Sequence, residues 1–219
     1  MMIFKTSIKS LTLLLFLSTL LHAGNRNRSM EFYFIPQYIE GKTLDFGGEV
    51  KADIDSSVSF GLGLGYNFTP NWNLGLLFSY AEADYDGSYY DENGDLAHKR
   101  HTLYTSSINL VGTYNFLDGD FTPFVSGHIG YTYTNTGISN GEYYWSCPPP
   151  IYPFPPGYCY PYEGAYTDNS MNYGGFVGVR YDFDNHFFIK AAVGVNIIDY
   201  NSQNSADFTI YQITLGSTF

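Results

Sequence analysis

From position 58 to position 68, every second residue is large and apolar: Val58, Phe60, Leu62, Leu64, Tyr66 and Phe68. Ser59, Gly61, Gly63, Gly65 and Asn67 lie between them. A period of two belongs to an extended strand with two unlike faces and is incompatible with an amphipathic helix. The run closes on Tyr66-Asn67-Phe68. That ending returns as Tyr114-Asn115-Phe116 and Tyr181-Asp182-Phe183, each time before a short polar turn.

The same alternation recurs along the chain. It predicts strands over about 32–38, 58–68, 72–80, 106–116, 121–134, 173–183, 187–197 and 211–219, eight in all and most of them close to the ~9–11 residues a tilted strand needs to cross a bilayer. Turns at 69–71, 117–120 and 184–186 join them at one end. Longer segments, about 41–55, 83–100, 137–169 and 201–206, join them at the other. Phe68, Phe116, Phe183 and the terminal Phe219 close the four even strands.

Composition decides what the apolar faces meet. Charged residues make up 14% of the 219-residue chain, against roughly a quarter in soluble domains. Aromatics reach 19%, with 22 Tyr and 18 Phe. A soluble barrel or sandwich would wet the other face, which here is Gly, Ser, Thr and Asn with almost no charge, unlike ordinary solvated surfaces. Lipid on the apolar side accounts for both faces. In hydrocarbon each unpaired backbone group costs several kcal/mol, so the sheet must close on itself. Aromatic strand ends suit the membrane interface. The fold expected is therefore all-β: an eight-stranded antiparallel up-and-down transmembrane barrel, with short turns on the periplasmic side and long extracellular loops.

Residues 1–23 read as a cleaved signal peptide. Lys5 and Lys9 precede an eleven-residue apolar core, Leu11 to Leu21, and Ala23 offers a small residue for cleavage. The core is too short for a membrane-spanning helix of about 20 residues. Residues 24–219 then form the barrel domain. The formal charge of −11 argues against nucleic acid as a partner, since that role needs basic patches.

These features resemble the small eight-stranded outer-membrane β-barrels of the OmpA-barrel, OmpX and opacity-protein kind. The carriers are the leader, the eight alternating strands and the closing YQITLGSTF. The resemblance implies a bacterial outer-membrane location, contact with membrane lipid and lipopolysaccharide, and Phe219 as part of the signal read by the barrel assembly machinery. No zinc spacing, phosphate loop or nucleotide fingerprint appears, so no cofactor and no catalytic residues are expected.

The third long segment carries EYYWSCPPPIYPFPPGYCYPYEG, 142–164. Cys147 and Cys159 are the only cysteines. In an exported chain they most simply pair, which would contribute roughly 3 kcal/mol in the chain-entropy model. Prolines between them stiffen the backbone. Tyr143, Tyr144, Trp145, Tyr152, Phe154, Tyr158 and Tyr160 are interleaved. Two readings stand: a recognition tip for a host or surface ligand, because rigid aromatic loops lose little entropy on binding, or a self-packed lid that meets lipopolysaccharide. The second segment holds Asp84, Asp86, Asp91, Glu92 and Asp95. Its glycine and closing residue do not match a calcium loop, so it reads as a solvated acidic loop.

By alternation Glu31, Arg180, Asp182 and Lys190 fall on the inward face. Buried charges must pair. The expectation is that Arg180 and Lys190 are neutralised by Asp182 and Glu31 near the periplasmic end. Such a network would plug an interior only wide enough for side chains. The alternative is a narrow gated channel for small or apolar solutes. Ser126 and His128 share an inward face with no acid in evidence beside them, which reads as a structural polar pair and not a hydrolase centre. The remaining histidines, His98, His101 and His186, fall in regions expected to be loop or turn.

Overall fold

A computed structural model describes residues 26–45, 51–90, 96–146, 160–183, 186–200 and 205–219. Residues 1–23, expected to be a signal peptide, and Cys147 to Cys159 lie outside these residues. Ten strands follow one another: β1 (Met30–Ile39), β2 (Lys42–Asp45), β3 (Lys51–Ile54), β4 (Ser57–Asn67), β5 (Trp72–Tyr90), β6 (Leu96–Asn115), β7 (Phe121–Ser146), β8 (Tyr160–Phe183), β9 (Phe187–Asp199) and β10 (Ser205–Thr218). All pairings are antiparallel between sequence neighbours of the barrel, and β1 pairs with both β4 and β10. Eight strands, all but β2 and β3, thus form a closed ring. At the seam the amide of Phe219 donates to the carbonyl of Met30 and the amide of Met30 to that of Phe219, at 2.9 and 2.8 Å.

The alternation in sequence becomes the alternation of the wall. On β4, Val58, Phe60, Leu62 and Leu64 are about half exposed, while Ser57, Ser59, Gly61 and Gly63 between them are buried. The outward row continues around the ring in Leu74, Leu76, Phe78, Ile108, Leu110, Ile129, Val177, Val193 and Ile213, all exposed. So large a continuous apolar surface requires a nonaqueous neighbour. Each repeated Tyr-x-Phe ending places both rings on this outer face as an edge-on pair: Tyr66 with Phe68 at 5.0 Å, Tyr114 with Phe116 at 5.2 Å, and Tyr181 with Phe183 at 4.7 Å. Edge-to-face packing suits the ring quadrupoles. The three pairs sit at the short-turn rim.

The strands differ from the expected lengths on one side. β5, β6, β7 and β8 run 19, 20, 26 and 24 residues, so most of the segments 83–100 and 137–169 are strand and not loop. His98 and His101 accordingly stand on β6, and His101 stacks on Tyr85 at 5.8 Å. Beyond the bilayer the strand faces meet water or a neighbouring ribbon, so pairing continues after the hydrophobic alternation has ended.

Above Tyr104↔Asn135 the β6–β7 pairing stops, and above Met171↔Asp199 the β8–β9 pairing stops. Two ribbons therefore rise from the ring. The β5–β6 ribbon carries β3 on its flank, from Lys51↔Ser88 to Ile54↔Tyr85. The β7–β8 ribbon passes two register irregularities between Asn135 and Tyr143. Gly137 stands there with φ of 66°, and a Cβ on it would lie 2.6 Å from the Thr102 carbonyl oxygen. Only glycine fits that conformation and approach without strain. Tyr85 ties the ribbons together by donating to the Thr136 carbonyl at 2.9 Å.

Candidate functional site in the barrel lumen

The inner face is not uniformly small and polar. Tyr33, Ile35, Leu77 and Phe188 form a buried apolar cluster, with Val111 packed against it. A second cluster of Ile198, Ala206 and Phe208 lies toward the ribbon side, with Ile39, Leu44, Ile54 and Tyr200 against it. Large inward rings need small neighbours across the wall. A Cβ on Gly216, for example, would fall inside van der Waals contact of the Phe188 ring.

The structure brings Glu31, Arg180, Asp182 and Lys190 together near the short-turn end. β8 places Arg180 and Asp182 two residues apart on its inward side, and β9 sets Lys190 opposite Arg180. Arg180 Nη1 donates to Glu31 Oε1 at 2.6 Å. Its Nε and Nη2 reach Asp182 at 3.0 and 2.7 Å. Lys190 Nζ lies 3.5 Å from Glu31 Oε2, an ion pair longer than a good hydrogen bond. Arg180 and Glu31 are fully buried. Asn67 Nδ2 donates to Glu31 Oε1 at 3.0 Å, and Asn73 Nδ2 to Asn67 Oδ1 at 3.0 Å. The cations also lie over rings: the Arg180 guanidinium is 4.2 Å from the Phe188 centroid, and Lys190 Nζ is 4.8 Å from it. Charge-assisted bonds and ring faces together replace the lost water.

Arg26 joins this group from outside any strand. Its Nε lies 3.5 Å from Asp182 Oδ2, and Nη2 donates to the Gly119 carbonyl at 2.6 Å. The chain before β1 is thereby tied to the β6–β7 turn. Burial holds the Arg26 guanidinium below its ordinary value, with Asp182 opposing that effect. No alternation pattern covers Arg26, so parity could not find it. Phe188 was findable, since it stands opposite the outward Phe187 and Ile189.

His128 does not engage Ser126. Its Nε2 is 2.9 Å from Asn196 Oδ1, and its ring stacks on Phe176 at 5.4 Å. Among the described residues no cluster of His, Cys, Asp and Glu could hold a metal ion. Asp84 accepts from Arg100 at 3.3 Å and from Thr102 at 2.9 Å. Asp91, Glu92 and Asp95 lie outside the described residues. Of the aromatic segment, Tyr143, Tyr144 and Trp145 belong to β7 and Tyr160 to β8. The side chains of Tyr143 and Tyr144 are exposed. Tyr152, Phe154 and Tyr158 fall outside, as do both cysteines.

A ring of eight antiparallel strands, apolar outside and holding a buried network of ion pairs inside, defines an integral β-barrel membrane protein. The sequence matches the family model described as outer membrane protein beta-barrel domain over residues 13–219. The chain belongs to that family, and its place is the bacterial outer membrane. Among solved structures it is similar to the outer membrane protein OprG from Pseudomonas aeruginosa, with 14% identity, 90% of this chain and 98% of that one covered, and a TM-score of 0.55. Neisserial surface protein A matches with 14% identity, coverage of 86% and 97%, and a TM-score of 0.49. Ail of Yersinia pestis, in complex with the heparin analogue sucrose octasulfate, matches with 12% identity, coverage of 88% and 99%, and a TM-score of 0.47. None of the curated proteins matches the sequence.

Proposed function

We propose that this protein works at the cell surface as a closed barrel that presents a recognition element above the membrane, and that it carries no enzymatic activity. One observation carries the reading. Arg180 and Glu31, joined at 2.6 Å and fully buried, occupy the base of a narrow eight-stranded lumen. The network of Glu31, Arg180, Asp182 and Lys190 then serves as a plug, and function falls to the ribbons. There the β7–β8 ribbon exposes Tyr143, Tyr144 and Tyr166, residue types that dominate binding hot spots.

In this reading the leader is removed after residue 23, Cys147 and Cys159 pair, and the clipped segment between them is the contact for a host or surface ligand. Lipopolysaccharide surrounds the wall, and Phe219 serves in delivery to the assembly machinery. Removing residues 143–162 tests the proposal. Attachment of whole cells to host or abiotic surfaces should fall while the barrel still folds; unchanged attachment would remove the recognition role. A narrow channel is the competing reading. Two lumen cavities of about 70 Å³ each support it, because both are lined by Gln37, Ser79, Ser107, Asn196 and Ile210 and so adjoin.

A further inference from the structure

Among the described residues the charged side chains that are buried are Arg26, Glu31, Arg180, Asp182 and Lys190. All belong to the short-turn, periplasmic end. Three are cations and two are carboxylates, so the cluster carries one positive charge in excess. A buried charge without an opposite partner is strongly destabilising. The excess falls on Arg26. Arg180 has Glu31 at 2.6 Å and Asp182 at 2.7 Å, and it lies over the Phe188 ring. Lys190 has Glu31 at 3.5 Å and the same ring at 4.8 Å. Arg26 has only Asp182 Oδ2 at 3.5 Å, on a carboxylate whose two oxygens already accept from Arg180.

A turn delivers Arg26 to this position. Arg28 has a φ of 58°, in the left-handed region, and Ser29 Oγ donates to the Arg26 carbonyl at 2.9 Å. The segment before β1 bends back beneath the mouth and reaches the β6–β7 turn on the opposite side of the ring. There Arg26 Nη2 donates to the carbonyls of Leu117 and Gly119 at 3.4 and 2.6 Å. Nε and Nη2 share one edge of the planar guanidinium. Nη1 points off the other side, buried and with no hydrogen-bond partner. Asn115, two residues before Leu117, is fully buried, and both ends of its carboxamide are unpartnered. Its Nδ2 is a second donor at this rim.

We propose that Arg26 anchors a periplasmic site for a small monovalent anion, held by Nη1 and the Asn115 carboxamide, which brings the buried cluster to neutrality. One excess charge calls for one negative charge. Nη1 is enclosed, so a guest enters by a shift of the surrounding turns and must be small. Those turns face the periplasm: Asn27, Arg28, Leu117, Asp118 and Gly119 are exposed, and a Cβ on Gly119 would meet nothing within 4 Å. The internal competitor is Asp118, which acts on Arg26 through space and makes no ion pair with it among the described residues. The site lies at the opposite end from the surface ribbons and does not depend on what they recognise.

¹³C-formate is the probe, added at constant ionic strength to the full chain with ¹⁵N-labelled arginine in zwitterionic lipid bilayers. Solid-state NMR dephasing between ¹³C and ¹⁵N reads the contact. Formate should dephase the Arg26 guanidinium and leave that of the exposed Arg28 unaffected. Arg26→Gln should reduce the bound formate signal at least several-fold. Asp118→Asn, at an exposed turn position, should tighten formate binding several-fold because the competing carboxylate is gone. Should Arg26→Gln not fold, the wild-type chain and Asp118→Asn decide the matter. Absent dephasing at Arg26, dephasing of equal size at Arg28, or unchanged or weaker binding in Asp118→Asn would overturn the proposal.

Discussion

Arg180 Nη1 donates to Glu31 Oε1 at 2.6 Å, with both side chains fully buried and 149 positions between them in the chain. The contact exists because the ring is closed: Glu31 stands on β1, which pairs with β10, while Arg180 stands on β8. Removing one partner of a buried pair leaves an uncompensated charge, which costs roughly 3–5 kcal/mol. Glu31→Gln should therefore destabilise the barrel by about that amount in urea unfolding from lipid vesicles. It leaves Lys190 without the carboxylate it pairs with. Asp207→Asn, at the solvent-exposed pair with Lys42, should leave the same midpoint unchanged.

The outer face yields a second test. Leu64 and Leu96 are both exposed, yet the account places lipid against one and water against the other. Leu64→Arg should cost about 2–4 kcal/mol, the depth-dependent penalty for arginine on a lipid-facing strand. Leu96→Arg, on the ribbon above the membrane, should change stability by less than about 0.5 kcal/mol. Equal effects in folding titrations would mean that the bilayer is placed wrongly.

The repeated aromatic endings couple within each pair. A double-mutant cycle on Tyr114→Ala and Phe116→Ala should give an interaction energy of about 0.5–1.5 kcal/mol, in line with rings 5.2 Å apart at 85°. Additive single losses would show that the pairs serve only as separate interfacial anchors.

Acid should loosen the β2–β3 hairpin from β10. Lys42 donates to Asp207 and holds its carboxyl below the ordinary aspartate value. A depressed folded value means that the contribution is present above the unfolded pKa of about 3.9 and is lost as pH falls through the folded value. Protection factors of the amides at Lys42–Asp45 and Lys51–Ile54 should therefore fall below about pH 4 and hold steady at neutral pH. In Asp207→Asn the protection factor should not change across that window.

Much of this architecture was legible from periodicity, and its gaps have physical causes. In the membrane each strand has one lipid face and one lumen face, so Val58 to Phe68 announces its own orientation. Around Asp84-Tyr85-Asp86 both faces are wet or pack on a neighbouring ribbon, so nothing in the pattern separates strand from loop. β5 to β8 therefore run well past the expected ends. Parity assigned Glu31, Arg180, Asp182 and Lys190 to the inside, because a charge in a strand has only two places to point. It carried no information on Arg26, which belongs to no strand. It was also blind to the His128–Asn196 contact, which depends on register across three strands and on the absent side chain of Gly174.

Planar-bilayer recording on the refolded full chain tests the closed-lumen account most directly. The account predicts no large steady conductance at neutral pH, because the buried Glu31–Arg180 pair and its neighbours fill the base of the lumen. A large, steady, ohmic pore in the wild-type protein would contradict it.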